Sequence, residues 1–351
     1  MKYSTLLFLF LLSANVFAQE IIESCKYGQP LIEAIQDAYT PSNSLGYGPG
    51  RDILYSEIDN NGLELSGIYS NFTVTLDPNA DPSVSAYQGG SGINAEHVYP
   101  QSMGAGEEPA KSDLHNIFPS RVDVNSARGS CPFGEVEDND TDKWFYLNTV
   151  LSSIPSSNID SYSEKDEEDC VFEPREEVKG NIARAVFYFY AIYQDIADSK
   201  SSSFFPLQKE VLYQWHLTDP VDETEKLRDG LIAAEQGNHN PFIVDSSLVF
   251  RAYFSEDAVY SDVDPNCYPI VTSIEGQNVA NWASISTNFV QNELLISSTK
   301  NETQVFLFDL YGRLVLEREM RNESQLELGS LSQGFIFCSF NRKVKRSLLG
   351  F

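Results

Sequence analysis

Residues 93–104 read INAEHVYPQSMG, and residues 112–128 read SDLHNIFPSRVDVNSAR after a Gly-, Glu- and Pro-rich spacer. The first stretch sets Glu96 beside His97 in a chain of 351 residues with only four histidines. Residues 93–101 and 112–119 each suit a short strand. A helix is expected to begin near Asp123 as its N-cap and to carry Asn125 and Arg128. Alternation along a strand sends Glu96 and His97 to opposite faces, which weakens a simple Glu–His dyad. Both still serve one site if the strand twists or ends there, with a metal reached by Glu96 and a water by His97. A lone histidine is more often a surface or satisfied core residue, so its neighbours must carry the functional reading.

Those neighbours suit one chemistry. Phosphodiester hydrolysis needs a water deprotonated near neutral pH, which a neutral imidazole can do. Charge developing at phosphorus and on the leaving oxygen needs a cation. A hard cation such as Mg²⁺ prefers oxygen ligands and keeps several waters, so one carboxylate and one amide oxygen are enough protein ligation. Glu96, His97 and Asn125 supply that inventory.

Taken together, 94-NAEHVYPQSMG-104, 112-SDLHNIFPSRVDVNSARG-129 and 131-CPFGEV-136 resemble the secreted endonuclease I family of His-Me finger (ββα-metal) nucleases. The likeness continues in 172-FEPREEVKGNIARAVFYFY-190 and 214-QWHLTDPVDETEKLRDGLIAAEQGNHNPFI-243, spanning most of residues 25–255. It implies an α+β fold with a His-Me finger core packed among helices. It also implies His97 as general base, Glu96 and Asn125 as ligands of Mg²⁺, and Arg128 as a contact to the scissile phosphate. A backbone carbonyl of the second strand would orient the imidazole and fix its tautomer. DNA, and RNA with it, would be gripped by the backbone and cut with little sequence preference to 5′-phosphate and 3′-hydroxyl ends. Ala95, Ser130 and His239 depart from the residues usual in that family, but none of them is the base or a metal ligand.

The remaining signals are weaker. His115 is either a supporting group of the site or a structural hydrogen-bonder, and His216 reads as structural. Lys111, Arg121, Arg175, Lys179 and Arg184 either line a nucleic-acid groove or are solvated. The run 138-DNDTD-142 starts like a Ca²⁺ loop but lacks its Gly and its final Glu. The aromatic run 187-FYFYAIY-193 reads as core.

Outside the motifs, residues 29–39 predict a helix and Asn61–Gly62 a hairpin turn. Residues 67–76 predict a strand and 80–92 a loop. Residues 176–195 predict a helix with an apolar stripe of Ile182, Val186, Phe189, Tyr190 and Tyr193. Further helices are predicted over 206–217 and from Asp219–Pro220 to Gly237.

The formal charge of −27 argues against a generic polyanion binder, since phosphate backbones are held chiefly by Lys and Arg. Screening limits exposed charges to roughly 8 Å at physiological salt, so a local basic cleft can still operate on an acidic body. Lys2, 6-LLFLFLL-12 and 16-VFA-18 follow the grammar of a secretory signal peptide, and no stretch reaches transmembrane length. Export permits disulfides, and the odd count of five cysteines leaves at least one unpaired. Cys131–Cys170 and Cys25–Cys267 are among the open pairings, while Cys338 suits a buried free thiol.

The expected division is a signal peptide at 1–18, a nuclease domain at 19–261, and a linker with a small C-terminal β-sandwich at 262–351. In that last part NELLI, VFLFDLYGRLVLE, LGSLSQGFIF and KVKR resemble the C-terminal sorting domain of type IX secretion substrates. The resemblance implies recognition by outer-membrane export machinery. The expectation is a secreted or cell-surface monomer without a membrane span. The competing reading is a non-catalytic surface module that binds polyanions or partners on the same fold.

Overall fold

The computed structural model describes residues 22–23 and 26–255 with their side chains and, beyond them, the backbone of seven strands between 283 and 349. The expected signal peptide, the linker beginning at 262, Cys25, Cys267 and the basic run 342–346 lie outside the described residues.

Leu31, Ile32 and Ile35 form the buried face of α1 (Gly28–Tyr39). Helix α2 (Tyr47–Ile53) runs into a π-helical turn, Leu54–Ile58. Strands β1 (Asn60–Asn61) and β2 (Glu64–Ser66) make the expected hairpin across Gly62, whose φ of 76° favours glycine. The strand expected over 67–76 shrinks to β3 (Thr73–Thr75), because the Gly67 N–H closes a turn on the Phe72 carbonyl at 2.8 Å. Gly67 also packs so tightly that a Cβ there would meet Arg121 N at 2.9 Å. The loop expected over 80–92 contains α3 (Pro82–Tyr87), which the Asp81 side chain caps at the Val84 N–H.

Strands β4 (Ile93–His97) and β5 (Ile117–Arg121) pair antiparallel, with His97 opposite Ile117. Helix α4 (Val122–Arg128) follows directly and packs on both strands. Arg121 rather than Asp123 is its N-cap. Asp123 lies in the first turn, where its carboxylate takes Arg121 and the Val124 N–H. Both strands are shorter than expected because Asn116 captures the chain beyond β4. Its carbonyl accepts the Val98 N–H at 3.0 Å, and its side chain accepts the Tyr99 N–H at 2.7 Å.

A further antiparallel sheet contains β6 (Lys143–Tyr146), β7 (Thr149–Leu151), β8 (Ser163–Asp166) and β9 (Val171–Glu173), in the order β7-β6-β8-β9. The Cys131–Cys170 disulfide, one of the open pairings, joins the segment after α4 to the β8–β9 connection.

The helices α5 (Lys179–Ser201), α6 (Phe204–Thr218), α7 (Glu223–Gln236), α8 (Pro241–Val244) and α9 (Leu248–Tyr253) complete the body. Instead of one apolar stripe, α5 is buried all round from Ile182 to Tyr193, with α1, α6 and α8 packed on it. That is the position an almost wholly apolar helix must take. Asp222, not Asp219, caps α7, which ends as expected at Gly237.

The C-terminal strands pair antiparallel in one set of three (Ala283–Asn288, Glu293–Ser298, Glu323–Glu327) and one of four (Thr303–Phe308, Leu314–Met320, Ile336–Phe340, Ser347–Leu349). The chain thus mixes helix and antiparallel sheet, in keeping with α+β. Among the described residues, no helix is long and apolar enough to cross a membrane.

Candidate active site

His97 ends β4, and its ring is held at both nitrogens. Nε2 lies 2.8 Å from the Lys111 carbonyl, which can only accept, so the proton of the neutral ring sits on Nε2. The lone pair is therefore on Nδ1, to which the Gln101 amide donates at 3.1 Å. The orienting carbonyl comes from the turn before β5 and not from the strand, a correction to the sequence expectation. The strand residue opposite His97 is Ile117, whose carbonyl is already taken by Arg228 at 2.7 Å. Tyr47 stacks on the imidazole with ring centroids 5.6 Å apart. Burial pushes the His97 imidazole below its usual range, and the Lys111 carbonyl offsets part of that shift.

Asp113 fixes where Lys111 can be. Its buried carboxylate accepts from the Tyr188 and Tyr193 hydroxyls at 2.7 and 2.9 Å, and from the Gln236 amide at 2.9 Å. The turns at 110–116 are thereby clamped to α5 and α7. His115 takes the structural one of its two readings, with Nε2 donating to the Asn238 carbonyl at 3.0 Å.

Glu96 occupies the other face of β4, toward α4. Its Oε1 accepts from the Tyr69 hydroxyl at 2.8 Å and lies 3.2 Å from Arg128 Nη1. Burial raises the Glu96 carboxyl to about 7, against the pull of the Arg128 charge and the Tyr69 hydrogen bond. Arg128 is wholly buried and donates to the carbonyls of His97, Val98 and Gly129 at 3.2, 2.7 and 3.2 Å. It lies beneath the strand end, and reaching a phosphate would mean leaving those carbonyls. Asn125 uses its amide nitrogen on Asn94 Oδ1 at 3.0 Å and on the Ala95 carbonyl at 3.1 Å. Its amide oxygen makes no hydrogen bond among the described residues.

The Glu96 and Asn125 oxygens fit a hard divalent cation. Both are hard donors attached to the hairpin–helix unit, and the buried carboxylate carries a desolvation cost that a cation would relieve. Among the described residues no cluster of three or more His, Cys, Asp and Glu side chains forms a metal cage. A site of one carboxylate and one amide, completed by water, does not need one.

The other predicted cations are mostly spoken for. Arg121 pairs with Asp123, Arg175 with Glu177, Lys179 with Glu173, Glu176 and Glu135, and Arg184 with Glu225. His216 donates to the Ser246 carbonyl at 2.9 Å, as a structural histidine would. Tyr47, Tyr69 and Gln101 were not foreseen. Gln101 alone had a signal, four residues after His97 in the same motif.

A family model described as Endonuclease I matches residues 28–247. The chain belongs to that family. It is 32% identical over 164 residues to an extracellular ribonuclease of Bacillus subtilis (strain 168), covering 43% of this chain and 50% of that protein. It is 29% identical over 134 residues to Endonuclease-1 of Buchnera aphidicola subsp. Acyrthosiphon pisum (strain APS), covering 38% of this chain and 44% of that one. This Endonuclease I family chain spans about half the length of the curated relatives it matches.

Proposed function

We propose that the protein is an exported, Mg²⁺-dependent endonuclease that hydrolyses phosphodiester bonds in DNA, and in RNA with it. The anchored imidazole carries this reading: the Lys111 carbonyl holds the proton on Nε2, so Nδ1 of His97 is the basic nitrogen. Family membership and relatives named as an extracellular ribonuclease and Endonuclease-1 support a nuclease working outside the cell. The signal peptide at 1–18, the nuclease domain at 19–261 and a C-terminal sorting domain read by export machinery belong to the same proposal.

In the reaction, Gln101 leaves Nδ1 and a water takes its place. His97 accepts the proton of that water as its oxygen bonds phosphorus. The bond to the 3′ oxygen breaks as that oxygen takes a proton from a solvent water, leaving 5′-phosphate and 3′-hydroxyl ends. Glu96 and Asn125 would hold the divalent cation, which when bound would supply charge neutralisation at phosphorus and on the leaving oxygen. Arg128 is a positioning residue, holding the His97 and Val98 carbonyls and the Glu96 carboxylate in one arrangement.

Plasmid incubated with the protein should be nicked with Mg²⁺ and stay intact with EDTA. His97→Ala should cut turnover roughly 10²- to 10⁴-fold while oligonucleotide binding survives. Absence of Mg²⁺-dependent nicking at both low and high salt would sink the enzyme reading and leave the non-catalytic surface module.

A further inference from the structure

Among the described residues most Lys and Arg side chains meet an acid at hydrogen-bonding distance, so the exceptions near His97 stand out. Lys111 makes no ion pair among the described residues, and the nearest carboxylate to Arg51 is Asp52, with Oδ1 3.9 Å from Nε. That is too long for a hydrogen bond. Arg51 Nε is buried and makes no hydrogen bond among the described residues, although the guanidinium donates to Ser83 Oγ at 2.7 Å. Glu108, an acid that bears on the charge of His97, is engaged by the hydroxyls of Ser44 and Ser112.

One aromatic ring gathers these cations beside the base. The Arg51 guanidinium carbon and Lys111 Nζ each lie 5.4 Å from the Tyr47 ring centroid, and Tyr47 stacks on His97. A cation on an aromatic face is attracted by the ring quadrupole, so Tyr47 holds both charges without neutralising either. Both cations remain partly exposed.

We propose that Arg51 and Lys111, carried on Tyr47, form an anion subsite that grips the nucleic-acid backbone at a phosphate flanking the one cut at His97. The proposal rests on the nuclease reading. It explains how a chain of charge −27 can hold a polyanion: locally, within about a Debye length of the base. Two cations on a phosphate backbone are a salt-dependent contact, because each displaces condensed counterions.

The test uses the full-length chain, a fluorogenic single-stranded oligonucleotide and a salt series, with Lys111→Gln, Arg51→Gln and the double variant. Each single change should raise KM several-fold and flatten the slope of log(kcat/KM) against log[salt], and the double variant should reduce it by roughly 0.7, the value for one phosphate contact to a single strand. Lys111→Arg and Arg51→Lys should restore the slope. An unchanged slope and KM in the double variant would overturn the proposal. So would a fall in kcat alone, which would mark the side chains as supports for Tyr47. Thermal melts identify a variant that has lost its fold, and Lys111→Gln on the partly exposed turn then carries the test. If the wild type cuts nothing, the nuclease reading falls instead, and the salt dependence of oligonucleotide binding still reads the subsite.

Discussion

Two buried glutamates in this protein share a cost and differ in how it is met. Desolvation pushes both the Glu96 and the Glu173 carboxyl up. Glu173 is answered by the Lys179 ammonium at 2.7 Å and by the Val136 N–H. Lys179 is in turn shared with Glu176 and Glu135 and lies over the Trp215 ring. Glu96 is answered at one oxygen only, and its guanidinium partner is divided among three carbonyls. Burial of an acid therefore does not itself make a site. What distinguishes Glu96 is that no ammonium and no backbone N–H answers its second oxygen among the described residues, and on the proposed function that is the oxygen a cation would take.

Swapping the perturbation between the two regions is the sharpest way to break this comparison. Glu96→Gln should cost at least about 100-fold in Mg²⁺-dependent turnover, on the order of 3 kcal/mol, while thermal stability at pH 8 stays level or rises. Lys179→Met should do the reverse. It strands the Glu173 charge and should lower stability by about 3–5 kcal/mol in denaturant titration, with turnover per folded molecule kept. Equal effects of both variants on both readouts would erase the distinction.

The disulfide sharpens the comparison because it joins the two regions. Cys131 follows the helix that carries Asn125 and Arg128, and Cys170 precedes the strand that carries Glu173. The sequence separation of 39 residues gives a loop whose closure should contribute about 2–4 kcal/mol through the unfolded state. The Cys131→Ser/Cys170→Ser variant should lose about that much stability. Its turnover at 25 °C should fall much less than in Glu96→Gln, since the contacts of α4 with the hairpin remain.

A smaller effect belongs to the structural region alone. Burial, with Glu173 and Asp138 nearby, raises the Glu164 carboxyl to about 8, and the Thr141 hydroxyl offsets only part of it. A carboxyl with its folded value above its unfolded value binds a proton more readily when folded. Its stabilisation is therefore complete below about 4.5 and is lost as pH rises toward 8. Glu164→Gln should flatten the fall in melting temperature between those limits. An unchanged pH dependence would show that Glu164 ionises normally.

How legible these features were in the sequence depended on how local their causes are. The hairpin-and-helix unit was readable because its signals lie within a few residues, as were α1 and the end of α7 at Gly237. Glu96, His97 and Asn125 all lie on that same unit. Their supports were not readable. Asp113 reaches Tyr188, Tyr193 and Gln236 over sequence separations of 75, 80 and 123, and Tyr69 reaches Glu96 from a turn that periodicity made a strand. The five cations grouped as a possible groove show the limit well. Their charges were visible, but which were already neutralised depended on tertiary partners such as Glu225 for Arg184.

The smallest expected effect concerns the His97 face, and it asks whether that face is ready or masked. Gln101 donates to the nitrogen that would accept the proton of water on the proposed mechanism. Its side chain is exposed on a 3-10 turn, so removing it leaves no buried hole. One net hydrogen bond is worth about 0.5–1.5 kcal/mol, and freeing Nδ1 of that competitor should raise kcat/KM roughly 2- to 10-fold. Gln101→Ala should show this gain in a single-turnover nicking assay, with the melting temperature unchanged. A loss of activity would reverse the assignment, making the amide a group that orients water at Nδ1, and Gln101→Glu would then separate the two roles by placing an acceptor where the donor stood.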